Sequence, residues 1–331
     1  MRDETGQSRK RLLVALSTAT ASEGLLEMQA GDDLAAFVDF DIVYWRDLPG
    51  LDSFKGKVYK WMPGSKLRAI VWQFLYLARY IQFTRIHYPE RMGDVHLWTG
   101  YGNIVLKLRG LVGTWLFRIV AYPLMRWFMK KTNPLSTTIT DDYDAVMSIS
   151  GLKDPLCDDL MMLAKERGLP SLIITQNWDN INYKPFNERP TKVGVWGLQG
   201  YYTARMIHGF EHSDIIPTGS PRLEIYHGDL PEKAAAREAL GLPADKRLIL
   251  LAGSGISFEE TSLVEMIDRA ICDGTLPVDC MLLYKPHPRR WDRTNEKPIE
   301  QAELHHTRIV PSSGDCAVRG TRMPELLRAV D

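Results

Sequence analysis

Short apolar runs alternate with helical stretches along most of this chain, and that alternation restricts its fold more than any other feature. Ala145 to Ser150, Ser171 to Thr175 and Arg247 to Ala252 have the length and composition of buried strands. Pro155 to Arg167, closed by Gly168, has the pattern of a helix between two of them. Strands that alternate with helices are typical of parallel sheets with crossover helices. The sequence therefore predicts an α/β fold.

A second start of the same pattern divides the chain into two predicted domains. The charged stretch Pro231 to Leu240 and the turn after it lead into the strand at Arg247 as if a new sheet begins there. We therefore expect Rossmann-like domains at 1–230 and 231–331. The second contains only about three predicted strands, whereas a doubly wound nucleotide domain usually has about five or six. We expect it to be truncated.

The first 140 residues are predicted to contain two further strands and several helices. The predicted elements are a strand at Leu12 to Leu16, a helix around Glu23 to Phe37, a strand at Asp41 to Trp45, a loop from Pro49 to Gly64, and helices at Ser65 to His87 and Asn103 to Lys131. Ser65 can cap the first long helix. Pro123 should kink or split the second, because proline has no N–H to donate.

Net charge is zero over the whole chain, but the charge is unevenly distributed. From Ser53 to Thr140 there are 14 Lys or Arg and two acids, Glu90 and Asp94. Trp115, Trp127 and other aromatic residues lie among these basic residues. This composition favours peripheral contact with an anionic membrane surface through residues 65–131. The alternative is a helix pair packed on the core whose basic edge faces solvent.

Several other classes of protein are disfavoured by the sequence. No apolar run is long enough for a signal-peptide core or a spanning helix, so we expect a cytoplasmic protein, peripheral at most on the inner face of the cell membrane. The four cysteines form no Cys-x-x-Cys pair, and no nucleic-acid-binding module is present. No Rossmann Gly-x-Gly-x-x-Gly follows the first strand, and no P-loop occurs. Asp39-Phe40-Asp41 and Asp142-Tyr143-Asp144 precede their strands, at the wrong end of the sheet for a ligand, and we predict no metal site there.

Two polar clusters follow predicted strands of the second domain, where ligands bind in open α/β sheets. Gly253-Ser254-Gly255 can present backbone N–H groups to a phosphate, although an ordinary tight turn has the same composition. Lys285-Pro286-His287-Pro288-Arg289-Arg290 holds a histidine between two prolines beside three cations, which suits a diphosphate. A solvated basic loop with an incidental histidine is the alternative. We select Gly253, Ser254, Gly255, Lys285, His287, Arg289 and Arg290 as donor-binding candidates.

A third polar cluster follows a strand of the first domain. Asn177-Trp178-Asp179-Asn180 places a carboxylate, two amides and a large ring together, and Lys184 follows. Asp179 can act as a general base that takes the proton of an acceptor hydroxyl. The alternative is an Asx-turn beside a packed tryptophan.

The order of these motifs resembles that of a known family. Thr175 to Asn180, then Lys192 to Gly197, then Pro217-Thr218-Gly219-Ser220-Pro221-Arg222 resemble the motif series of surface carbohydrate biosynthesis proteins, which are GT-B-like and similar to the CDP-glycerol glycerophosphotransferase group. Lys285 to Arg290 resembles the His-Pro loop of their second domain. The match spans about Ala145 to Arg290.

This resemblance implies a glycosyltransferase of GT-B type. A nucleotide-activated donor would be held mainly by the C-terminal domain and a glycan or lipid-linked acceptor mainly by the N-terminal one, with no metal or other cofactor. The acceptor or cleft candidates are Asn177, Trp178, Asn180, Lys184, Ser220 and Arg222, with Asp179 catalytic. The family pattern continues past Asp331 with a loop that contacts the donor phosphate, so an incomplete donor pocket is expected. A nucleotide-sugar 2-epimerase and an inactive scaffold that binds carbohydrate or a partner protein are the alternatives.

Overall fold

The computed structural model describes residues 9–26, 29–48, 50–90, 111, 114–220, 223, 226, 230–254, 260–287, 303–310 and 323–331. The chain folds into two compact units, Met1–Glu224 and Ile225–Asp331. Each unit carries a parallel sheet of its own. The α/β fold class expected from the alternation of strands and helices is therefore confirmed, with a Rossmann-like sheet in the first unit.

The N-terminal unit is built on a parallel sheet of seven strands. These are β1 (Arg11–Leu16), β2 (Asp39–Tyr44), β3 (Val58–Lys60), β4 (Ala145–Ser150), β5 (Ser171–Thr175), β6 (Lys192–Val195) and β7 (Ile215–Pro217). Their order across the sheet is β3-β2-β1-β4-β5-β6-β7. The chain runs outward from β1 to β3 and then returns to the other side of β1 at β4. A topological switch point therefore lies between β1 and β4, where neighbouring strand-end loops diverge.

The helices of this unit begin and end where local side chains favour it. They are α1 (Ala19–Leu26), α2 (Gln29–Phe37), α3 (Lys66–His87), α4 (Tyr122–Lys131), α5 (Leu135–Thr138), α6 (Pro155–Arg167), α7 (Asn180–Tyr183) and α8 (Leu198–Met206). The Ser65 side chain accepts from the N–H of Arg68, as expected for the N-cap of α3. Gly168 ends α6 with a φ of 66°, a left-handed conformation that glycine adopts at little cost.

Three expectations for the first 140 residues are corrected. The helix predicted from Glu23 to Phe37 is two helices, α1 and α2, and the loop predicted from Pro49 to Gly64 contains the edge strand β3. Of the helix predicted at Asn103 to Lys131, the structure describes Leu111 and residues 114–131, in which helical residues Trp115 and Leu116 lead into a π-helical turn, Phe117–Ala121, and then α4. Pro123 lies in the first turn of α4. Since proline donates no backbone hydrogen bond, the regular α-helical pattern is interrupted just before it. Residues 91–110, 112 and 113 lie outside the described residues.

Buried carboxylates on α6 hold the basic helix α3 against the N-terminal unit. The indole Nε1 of Trp72 donates to Asp158 at 2.7 Å, and Arg68 donates to Asp159 at 2.5 Å. The indole of Trp61 also donates to Asp159, at 2.9 Å. Burial raises the pKa of Asp158 to about 8 and that of Asp159 to about 6. The inner face of α3 is thus accounted for by packing and charge pairing within the unit.

The two Asp-x-Asp pairs lie at the amino end of the same sheet, where the carboxylates of Asp39, Asp41 and Asp144 have protein partners. Asp41 accepts from Arg11 at 2.8 Å and from the hydroxyl of Tyr143 at 2.8 Å. Asp144 accepts from Lys10 at 2.7 Å, and this hydrogen bond lowers the pKa of Asp144. Among the described residues, no group of three or more His, Cys, Asp or Glu is placed to hold a metal ion.

The C-terminal unit contains a parallel sheet of three strands in the order β10-β9-β8. The strands are β8 (Arg247–Ala252), β9 (Cys280–Lys285) and β10 (Thr307–Ile309), and the helices are α9 (Lys233–Ala239), α10 (Thr261–Cys272) and α11 (Met323–Ala329). Leu283 packs on one face with Leu326 of α11, and Leu282 packs on the other with Val264 of α10. Both faces of the sheet are therefore covered, as in other parallel sheets.

Candidate functional site

The carboxyl ends of β5, β6 and β7 are adjacent in the N-terminal sheet, and the motif series of the sequence falls on them. The loop after β5 carries Asn177 to Asn180, and β7 leads to Ser220. The indole of Trp196, just after β6, donates to the carbonyl of Thr175 at 2.8 Å and joins the ends of β5 and β6. The residues chosen from the sequence therefore follow neighbouring strands of one sheet edge.

In the loop after β5, a buried side chain supports the backbone while another side chain is exposed to solvent. The Oδ1 of Asn180 accepts from the N–H of Asn177 at 3.0 Å, and Asn180 is buried. This bond runs from a side chain back to an N–H three residues earlier, whereas an Asx-turn bonds the backbone two residues later. Trp178, in contrast, is 54% exposed and does not pack in the core. Asp179 is half-buried, and its carboxylate caps no helix N–H.

Lys184 connects this loop to the end of β4. Its Nζ donates to the carbonyl of Gly151 at 2.9 Å. The N–H of Gln176 donates to the carbonyl of Ser150 at 2.9 Å, and a Cβ added to Gly151 would lie 3.5 Å from Oε1 of Gln176, so the two strand ends lie close together. Lys184 is therefore tied to the backbone beside Asn180 and Gln176.

Sequence reasoning missed a part-buried pair at the switch point between β1 and β4, in which the aspartate is buried. Ser17, directly after β1, donates to Asp154 at 2.5 Å. Asp154 also accepts from the N–H groups of Leu156 and Cys157 and so caps α6. Burial raises the pKa of Asp154 above its ordinary value, although its hydrogen bonds oppose the shift. An aspartate immediately before a proline at a helix start was the available signal for this cap.

The backbone beside Asp154 is in an uncommon conformation. Leu152 has a φ of 66°, which is rare for a residue with a side chain, and its N–H donates to Oγ of Ser150 at 3.0 Å. Holding such a residue costs on the order of 1–3 kcal/mol, which the surrounding structure has to offset. The following residue, Lys153, lies with its Nζ 5.9 Å from the ring centroid of Tyr76 of α3. Tertiary contacts therefore fix the conformation of the loop after β4.

In the C-terminal unit, the two strand-end loops chosen from the sequence are packed together. The N–H of Gly253, after β8, donates to the carbonyl of Lys285 at 2.8 Å. A Cβ on Gly253 would lie 2.8 Å from the backbone nitrogen of His287 and 3.0 Å from Cα of Pro286. Only glycine fits at this position without displacing the backbone of the neighbouring loop.

Sequence reasoning also missed Glu260. It is buried just before α10, and its Oε1 accepts from the N–H of Ser254 at 2.6 Å. Its Oε2 accepts from the hydroxyl of Tyr284 at 2.8 Å. The N–H of Ser254, which the sequence suggested as a hydrogen-bond donor to a phosphate, thus donates to the carboxylate of Glu260.

Four of the residues selected from the sequence lie outside the described residues. These are Arg222, Gly255, Arg289 and Arg290. Ser220, which is described and half-buried, accepts from the N–H of Leu223 at 3.0 Å through its backbone carbonyl. The structure therefore describes the selected residues that lie at Asn177 to Lys184, Ser220, Gly253, Ser254 and Lys285 to His287.

No protein-family model and no curated protein matches this chain. Solved structures resemble it over most of its length. A UDP-GlcNAc 2-epimerase from Methanocaldococcus jannaschii has a TM-score of 0.49 at 11% identity, covering 96% of this chain and 75% of its own. The UDP-GlcNAc 2-epimerase from Neisseria meningitidis, bound to UDP-GlcNAc, has a TM-score of 0.46 at 12% identity, and the match covers 96% of this chain and 75% of that enzyme. MurG from Acinetobacter baumannii has a TM-score of 0.44 at 13% identity, and the match covers 97% of this chain and 71% of MurG. All three TM-scores are below 0.5, so these similarities assign no function to this chain.

Proposed function

We propose that this chain is a transferase that moves a sugar or a polyol phosphate from a nucleotide-activated donor to a cell-surface glycan or lipid-linked acceptor. The C-terminal unit would hold the donor and the N-terminal unit the acceptor. The observation that carries this proposal is the close pairing of the loops after β8 and β9, where Gly253 lies against the backbone of His287. Small residues and a histidine with neighbouring cations at the carboxyl edge of a parallel sheet suit a phosphate-bearing ligand.

Donor binding is assigned to groups other than the N–H of Ser254. That N–H donates to Glu260, so the positive charge of Lys285 and the imidazole of His287 are the described groups that would meet the donor phosphates. Gly255, Arg289 and Arg290 complete the proposed donor set. His287→Ala should therefore abolish donor binding.

The base of the proposed reaction is Asp179. The acceptor oxygen would form the new bond to the transferred carbon or phosphorus while the bond from that centre to the leaving nucleotide breaks. The acceptor proton passes to Asp179, and the nucleotide leaves with the bonding electron pair. Trp178, which is largely exposed, offers an aromatic face to a sugar beside it. Asn177, Asn180, Lys184, Ser220 and Arg222 would shape the acceptor site.

The test is an activity assay with UDP-, CDP-, GDP- and CMP-linked donors, each with and without a lipid-linked acceptor extract. A transferase releases nucleotide only when acceptor is present. Asp179→Asn should keep donor affinity and lower transfer by on the order of 10²–10⁴-fold, as expected for loss of a general base. Glu211→Gln, which changes an exposed acid of the same unit, is the matched control and should keep full activity.

Two other outcomes would replace this proposal. Interconversion of a nucleotide sugar without acceptor would identify a 2-epimerase, the reaction named for two of the solved structures above. No binding of any donor would favour the scaffold that binds carbohydrate or a partner protein. A lipid-linked acceptor also requires that the chain reach a membrane, and we propose peripheral contact through the described part of residues 65–131.

A further inference from the structure

The segment from Trp115 through α4 has an apolar face that its packing against α3 leaves uncovered. Phe117 and Met129 are buried and cluster with Trp72 and Leu75 of α3, which accounts for the inner face. Six large apolar side chains of the same segment are 52–72% exposed. These residues, which we call the aromatic face, are Trp115, Leu116, Ile119, Val120, Leu124 and Trp127.

Their spacing makes this face continuous along the helix. Leu116, Val120 and Leu124 are four residues apart, and Trp127 follows three later, the spacing of one helical face. The π-helical turn Phe117–Ala121 lies between the two ends. A π-helical turn closes i→i+5 rather than i→i+4 hydrogen bonds, so residues four apart in it stay within a fraction of a turn of one another. Leu116 before this turn, Val120 within it and Leu124 and Trp127 after it are all exposed.

The charge around the aromatic face is positive. No acidic residue occurs between Leu111 and Thr140. Arg126 is committed to an ion pair with the buried Glu188 at 2.6 Å. Arg118, Lys130 and Lys131 form no ion pair with a described residue. An apolar surface with two tryptophans and three available cations therefore remains exposed on this segment.

We propose that the aromatic face docks the chain on an anionic lipid bilayer, with Arg118, Lys130 and Lys131 at the headgroups. Tryptophan suits the boundary between headgroups and acyl chains, and cations nearby add attraction to anionic lipid. A second copy of this chain is a poorer occupant, because a symmetric pair would bring the same cations of both copies together. No described helix is long and apolar enough to cross a membrane. This inference deepens the membrane contact included in the proposed function, and vesicle binding tests it without depending on which reaction the chain catalyses.

Vesicle co-sedimentation of the full chain tests it. The chain should bind phosphatidylcholine vesicles that contain phosphatidylglycerol and fail to bind phosphatidylcholine alone. Arg118→Gln with Lys130→Gln and Lys131→Gln should weaken binding on the order of a hundredfold, at about 1 kcal/mol per cation. Raising the salt concentration should weaken wild-type binding, because screening shortens the range of the attraction.

The apolar part is tested by Trp115→Ala with Trp127→Ala, which should bind anionic vesicles at least tenfold more weakly. Phe37→Ala removes a ring that is 80% exposed on α2 and is the matched control, with binding unchanged. Both variants are checked for wild-type thermal unfolding, since the changed side chains are outside the core. Equal vesicle binding by the double variant, or no binding by wild type, overturns the inference. A wild-type dimer that the double variant converts to a monomer would also overturn it in favour of a second copy.

Discussion

The carboxyl edges of the two sheets are organised in different ways. In the N-terminal unit, the candidate groups are side chains of one loop, and the buried Asn180 fixes the backbone that presents Trp178 and Asp179. In the C-terminal unit, the candidates come from two loops whose backbones touch at Gly253 and His287. Function at the first edge should therefore be lost when a side chain is removed. At the second edge, the addition of a single carbon at Gly253 should be enough to disrupt function.

The largest effect is expected from Gly253→Ala. The new Cβ would meet the backbone nitrogen of His287 at 2.8 Å, so the loop after β9 has to shift. We expect the free energy of unfolding to fall by up to about 3 kcal/mol, as for other overpacked sites, and donor affinity to fall at least tenfold. Urea unfolding and calorimetric donor titration measure the two effects.

Gly197→Ala is the matched control from the other edge. Gly197 has an extended φ of 176°, and nothing lies within 4 Å of the position that a Cβ would take. Its stability should change by less than about 0.5 kcal/mol. Equal effects of the two substitutions would mean that the loops after β8 and β9 are not held together in solution.

Asn180→Ala should be the next most damaging substitution. It removes the acceptor of the Asn177 N–H and leaves a space in a buried position. The expected loss of stability is about 1–3 kcal/mol, measured by urea unfolding. Gln199→Ala, at an exposed position of α8, is the control and should be close to neutral. A neutral Asn180→Ala would contradict the supporting role given to this amide.

Asp154→Asn should change how stability depends on pH. Because burial raises the pKa of Asp154, the folded chain retains a proton that the unfolded chain releases. The stability from this group is fully present below about pH 4, the ordinary pKa of aspartate, and is lost as pH rises toward the raised pKa. The wild type should therefore lose up to about 1.4 kcal/mol per pH unit relative to the variant in that window.

Urea unfolding across the acidic and neutral range measures this difference. Asp32→Asn, an exposed acid on α2, serves as control and should follow the wild-type curve. Parallel curves for wild type and Asp154→Asn would show that Asp154 ionises in the folded chain as it does in the unfolded one. The Ser17–Asp154 pair would then have no influence on the pH dependence of stability.

The smallest effect on stability is expected from Trp178→Ala, although its effect on acceptor use should be clear. Trp178 is 54% exposed, so its removal should change the free energy of unfolding by less than about 0.5 kcal/mol. The KM for acceptor should rise while donor affinity is unchanged. Met206→Ala, 76% exposed on α8, is the control for loss of a large exposed side chain. An unchanged KM for acceptor would remove Trp178 from the proposed site.

Much of the fold could be predicted from the sequence because the strands are short, apolar and separated by clear turns. The strand at Ala145, the helix from Pro155 to Arg167 and the cap at Ser65 follow from local patterns alone. The edge strand Val58–Lys60 was missed because three residues carry too little periodicity. The π-helical turn before α4 was missed because only the position of Pro123, and not the hydrogen-bonding pattern before it, can be inferred locally.

The candidate site was predictable only where one loop carries it. Asn177 to Asn180 are neighbours in sequence, so their grouping needed no knowledge of the fold. Asp154 and Ser17 are 137 residues apart and meet because β4 pairs with β1. Glu260, just before α10, accepts from the N–H of Ser254, which follows β8. These contacts depend on strand order and loop conformation, which the sequence pattern does not specify.

The paired loops after β8 and β9 are proposed to bind a nucleotide-activated donor, and the rest of the proposed function depends on this claim. The most direct measurement is a thermal-shift panel of UDP-, CDP-, GDP- and CMP-linked donors on wild type and His287→Ala. A ligand at about 100 times its Kd stabilises the native state by about 2.7 kcal/mol, which is readily measured as a rise in melting temperature. We predict that one donor class raises the melting temperature of the wild type and leaves that of the variant unchanged. The same rise in both proteins, or no rise with any donor, would contradict the claim.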